Sequence, residues 1–95
     1  MIMPGPLDGF KIVDLTSNIT GPLATMTLAD QGANVIKVEM PGEGDHVRAT
    51  STSINGFSAG FLNNNRNKRS IAIDLKTERG VAALYQVASG ADVFI

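Results

Sequence analysis

Hydrophobic and polar positions follow two rhythms along this chain. Lys11-Ile-Val-Asp-Leu15 is a short β-branched and aliphatic run without helical period, the pattern of a buried strand. Thr16 to Pro22 interrupts it with hydroxyl and amide side chains suited to capping a helix N-terminus. Pro22 fits a first helical turn, where its missing N–H would have no partner anyway. The helix is predicted to reach about Gln31 and to stop at Gly32, which takes the left-handed conformation without strain. Asn34-Val-Ile-Lys-Val-Glu39 reads as the next strand. It arrives so soon that strand, helix and strand must form a parallel βαβ unit with a right-handed crossover.

From Met40 to Lys68 the chain is rich in Gly, Asn, Ser and Thr, and its few apolar residues include Ile54, Phe57, Phe61 and Leu62. It reads as a long loop with a short helix near residues 56 to 62, and a loop of that length in a compact domain is functional or disordered. Ser70-Ile-Ala-Ile-Asp74 is a third strand. Thr77 opens a helix that places Val81, Leu84, Tyr85 and Ala88 on one face and ends at Gly90. Ala91 to Ile95 begins a fourth strand, whose apolar side chains require neighbours on both faces of a parallel sheet. The fold class expected is therefore α/β with a parallel sheet, and residues 1–95 read as a fragment of a larger domain.

Composition narrows the chemistry. Eight Lys and Arg against nine Asp and Glu give a net charge of -1, so no general field draws in nucleic acid or an anionic membrane. The absence of Cys excludes disulfides, a thiolate nucleophile and a Cys-ligated zinc site, and it fits a cytoplasmic protein. His46 is the single histidine, which leaves a metal site without partners. No segment approaches the ~20 apolar residues needed to span a bilayer.

Three stretches are candidates for binding. Ser17, Asn18, Ile19 and Thr20 lie where a first strand meets a helix, and ligands of parallel α/β sheets bind outside the carboxyl ends of strands. Gly21 alone does not make a dinucleotide fingerprint, and helix capping explains the same residues. Pro41 to Arg48 carries two glycines and Arg48, able to hold a phosphate or to form a surface pair with Asp45. Asn65-Arg-Asn-Lys-Arg-Ser70, with Lys76 beyond, places Lys68, Arg69 and further cations within reach of a phosphate, or along a solvated basic edge.

Taken together these residues resemble the class III CoA-transferases, a family that includes formyl-CoA transferase, carnitine and bile-acid CoA-transferases and α-methylacyl-CoA racemase. The likeness covers almost the whole chain. It rests on Pro6 to Gly9, Ile12 to Thr16, Gly21-Pro22, Leu28 to Glu39, Pro41-Gly42, Gly44-Asp45 and Arg48. Its most specific part is Asn65 to Ile71 with Asp74-Leu75-Lys76, and Ala91-Asp92-Val93 resembles the segment before the family's Asn-Phe-Arg-Pro-Gly stretch.

The resemblance implies an α/β fold with a Rossmann-like parallel sheet, of which residues 1–95 are the N-terminal portion of the large domain. It also implies coenzyme A as the bound moiety, acyl-CoA and carboxylic acid substrates, and an interlocked homodimer with a smaller second domain. It implies that an aspartate beyond Ile95 attacks the thioester to form an anhydride, so that residues 1–95 alone are inactive. It places Ile73 to Lys76 against the nucleotide end of CoA and Ser17 to Thr20 near the thioester. Formyl-CoA transferases carry Gln in place of Ile19 and Arg in place of Met40, a departure that points to a larger or more apolar acyl group. A racemase of the same fold, exchanging an α-proton, and a non-catalytic nucleotide-binding module are the alternative readings.

Overall fold

A computed structural model of the chain describes residues 4–50 and 52–95. Strand β1 spans Lys11–Asp14, helix α1 Thr20–Asp30 and strand β2 Asn34–Glu39. A single 3-10 turn, His46–Arg48, then precedes a hairpin of β3 (Ser53–Ile54) and β4 (Phe57–Ser58). Helix α2 covers Ala59–Asn65, β5 Arg69–Ala72, α3 Glu78–Ala88 and β6 Val93–Phe94.

Four strands form one parallel sheet in the order β5-β2-β1-β6, with Ile12 opposite Val35 and Val93, and Val38 opposite Ile71. The chain steps outward from β1 to β5 and then returns to the far side of β1. Strand order therefore reverses there, as it does at the binding crevice of doubly wound folds.

Alternate residues of the strands face opposite layers. Ile12 and Val35 pack with Ala29 and Ala33 of the α1 side, while Val13, Val38 and Ile73 pack with Leu84 of α3. Each fully buried aliphatic side chain of this kind contributes about 1.5–3 kcal/mol.

Several local expectations change. Helix α1 starts at Thr20, and its cap position, Ile19, makes no side-chain capping bond, so Ser17, Asn18 and Thr20 do not cap it. Gly32 does take a left-handed φ of 105°. The 40–68 loop is structured: Asn55 and Gly56 both have positive φ, 53° and 80°, the geometry of the tight turn that joins two antiparallel strands. Tyr85 is not on the buried face of α3; it is 70% exposed while Leu84, one residue earlier, is buried. Thr77 is a working N-cap, its hydroxyl accepting from Gly80 N at 2.9 Å.

Candidate functional site

On the α1 side the sheet changes character toward its carboxyl end. The residues that continue the Ile12 and Val35 rows are Asp14, Lys37 and Glu39, all buried. Buried charges require partners, and the connections supply them.

Asp14 Oδ2 accepts from Thr25 Oγ1 at 2.7 Å and from Lys68 Nζ at 3.0 Å, while its Oδ1 accepts from Thr16 N at 2.7 Å. Lys68 also donates to Pro22 O and Asn65 Oδ1, so all three hydrogens of its ammonium are used. Lys37 Nζ lies 2.9 Å from Asp45 Oδ2, both side chains only 1% exposed. That ion pair is off the hydrogen-bonding direction, and Oδ2 makes no hydrogen bond among the described residues. Lys37 directs a hydrogen bond to Thr16 O at 3.0 Å. Asp45 Oδ1 accepts from Asn18 N at 3.2 Å and Val47 N at 3.1 Å. Arg48 grips Glu39 through two bonds of 2.8 Å and stacks on Phe61, its Cζ 3.6 Å from the ring centroid.

These contacts set the charges. Burial opposes ionisation of Glu39, but donations from Arg48, Ser70 and the Asp45 backbone prevail and hold its pKa down at about 2. Asp14 behaves likewise: burial works against its charge, and Thr16, Thr25 and Lys68 outweigh it, leaving its pKa below the usual aspartate value. Asp45 is also lowered, with burial opposed by Lys37 and by the Val47 and Asn18 amides. Lys68 is depressed by burial, which the Asp14 carboxylate only partly offsets.

Above this layer lies a cavity of about 410 Å³ at the carboxyl ends of three strands. Leu15, Thr16 and Ser17 follow β1, Lys37 to Glu39 end β2 with Met40 just beyond, and Ile73 to Lys76 follow β5. Gly44, Asp45 and His46 close another side. Among the described residues Lys76 makes no salt bridge, which leaves it the one lysine or arginine on this wall without a carboxylate partner.

The site residues expected from sequence are thus divided. Ser17, Ile73 and Lys76 share the cavity. Asn18 and Ile19 sit on the adjoining turn and Thr20 opens α1, with Ile19 60% exposed. Arg48 and Lys68 are held beneath, by Glu39 and Asp14, and the expected surface pair of Asp45 with Arg48 is replaced by two separate pairs. Arg69 lies outside the cavity: it opens β5 and donates to Asn34 Oδ1, at the amino end of β2, 3.2 Å away. The basic run therefore acts as a clasp, with Arg66 and Asn67 both on Asp30. Asp14, Lys37, Glu39 and Asp45 were not among the expected site residues. For Lys37 and Glu39 the signal is charge at every second position of a strand buried on both faces; Asp14 and Asp45 carry no such local mark.

No helix among the described residues is long and apolar enough to cross a membrane, and no group of three or more metal-ligating side chains occurs there.

Comparison with known proteins bears on the family and the fold. The profile of CoA-transferase family III matches residues 7–95. Succinyl-CoA:glutarate CoA-transferase of Mus musculus is 50% identical over 91 residues, covering 95% of this chain and 21% of that protein. The probable fatty acyl-CoA transferase Rv3272 of Mycobacterium tuberculosis is 44% identical, and a crystal structure of it aligns with a TM-score of 0.85 over 95% of this chain and 24% of its own. A CAIB/BAIF family protein from Brucella suis aligns at TM-score 0.88 with 41% identity, over 97% of this chain and 25% of its own. The chain spans about a quarter or less of the length of these relatives. With the family profile running from residue 7 to residue 95 over a sheet of the same shape, the chain belongs to CoA-transferase family III.

Proposed function

We propose that the carboxyl-end cavity cradles coenzyme A in a protein that moves CoA from an acyl-CoA thioester to a carboxylic acid. The observation that carries the reading is Lys76, which makes no salt bridge among the described residues and lines the same cavity as Ser17, with apolar Met40, Ile73 and Leu75 also in its walls. A point charge for phosphate next to an apolar lining suits a phosphorylated carrier with a long, weakly polar arm. In the parent protein, an aspartate outside these residues attacks the thioester, expelling CoA as thiolate and forming an anhydride. The thiolate attacks the aspartyl carbonyl and releases the donor acid, leaving an aspartyl-CoA thioester. The acceptor carboxylate displaces CoA to form a second anhydride, and the thiolate attacks its acyl carbonyl to give the new acyl-CoA and the free aspartate. The exposed Ile19 and Met40 offer no charge to a second carboxylate, which favours an acyl group larger or more apolar than oxalyl or formyl. The transferase reading is preferred to a racemase because the relatives from Mus musculus and Mycobacterium tuberculosis named above are described as CoA-transferases. The present chain contributes binding and no turnover.

Titration calorimetry of CoA against the chain tests the site. Binding heat is expected for the wild type and for Arg69→Ala, and it is expected to vanish in Lys76→Ala. Absence of heat with the wild type, or undiminished heat with Lys76→Ala, overturns the assignment. Acyl transfer by the 95-residue chain above a no-protein control overturns the division of labour.

A further inference from the structure

We infer that Lys37 and Asp45 are positioning residues whose buried ion pair presets the Thr16–Asn18 turn for binding. The inference rests on the reading that the cavity takes CoA.

The pair reaches the turn from two sides. Lys37 Nζ donates to the carbonyl of Thr16 at 3.0 Å, and Asp45 Oδ1 accepts from the amide of Asn18 at 3.2 Å. The two bonds bracket Ser17, which lines the cavity together with Thr16. Asn18 adopts φ 72°, a conformation that costs a side-chain-bearing residue energy and persists where its surroundings over-determine it. Helix α1 does not supply that constraint, because its start carries no side-chain cap. Asp45 is itself immobilised: its amide donates to Glu39 Oε1 at 3.0 Å, and Oδ1 caps the 3-10 turn through Val47 N.

Net stabilisation is a weak explanation of such a pair. Desolvating two charges costs about as much as their attraction returns, and apolar residues of similar size often replace such pairs without loss. What an apolar replacement cannot reproduce is the hold on Thr16 O and Asn18 N.

That difference is measurable. The full chain is titrated with CoA as wild type, as Lys37→Met/Asp45→Asn and as Lys37→Met/Asp45→Leu, with urea midpoints recorded in parallel. Asn at position 45 keeps an oxygen for the Asn18 amide, whereas Leu removes it. Midpoints close to wild type are expected for both variants. The affinity of the Leu variant is expected to fall roughly tenfold or more, and that of the Asn variant by less, because a misplaced turn weakens every contact it makes. Folded variants that bind CoA as tightly as a binding wild type overturn the inference. A wild type that binds no CoA overturns the functional reading instead. Hydrogen exchange of the wild type decides the matter if the variants unfold. Protection of the Asn18 amide before CoA is added is expected, whereas protection that appears only with CoA overturns the preset turn.

Discussion

The two faces of the sheet are built from alternate residues of the same strands, yet they are held in different ways. On the α3 side Val13, Val38 and Ile73 meet Leu84, an apolar contact with no preferred direction. On the α1 side Ile12 and Val35 give way to Asp14, Lys37 and Glu39, and the connections that close over them do so through directed bonds. The apolar face supplies cohesion. The ionic face costs desolvation but specifies where residues 14–18, 45–48 and 65–70 sit, and those segments build or support the cavity.

Breaking that contrast starts with its most buried member. Asp14→Ala leaves the Lys68 ammonium enclosed without a counter-charge, and a loss of about 3–5 kcal/mol is expected from urea unfolding. Leu84→Ala on the opposite face should cost less, about 2–3 kcal/mol, because Leu84 sits at the edge of burial and the cavity left is open to relaxation.

The faces also separate by pH. Glu39 titrates at about 2 in the folded chain against an ordinary value of 4.5, so its stabilisation is fully present above pH 4.5 and is lost as pH falls toward 2. The lowered Asp14 and Asp45 act in the same direction. Glu39→Gln should flatten part of the acid limb of a stability-versus-pH curve, whereas Leu84→Ala should shift the curve without changing its slope. The smallest effect is expected at the exposed clasp: Arg66→Ala removes the pair with Asp30 and should leave the urea midpoint within error of wild type.

The strands and helices of the sheet were readable because their signals are local. Asn34–Glu39 matches its expected bounds, and Gly32 ends α1 as its freedom at positive φ predicts. The Asn55-Gly56 turn is an equally local signal, but the Gly-, Asn-, Ser- and Thr-rich composition around it reads as loop. The ionic layer is a different kind of fact. Lys68 looks like a surface cation in sequence because its partner, Asp14, is 54 positions away, and the pairing exists only once α1, α2 and β5 are assembled. Arg69 and Lys76 stand seven positions apart in the chain, but one opens β5 and the other follows it, so the strand carries them toward opposite ends of the sheet.

Amide chemical-shift mapping of the isotopically labelled chain during addition of CoA tests the central claim most directly. The account predicts the largest perturbations at Thr16, Ser17, Met40 and Leu75–Lys76, around the carboxyl-end cavity. Perturbations centred on Asn34 and Arg69 at the opposite end of the strands, or none at all, contradict it.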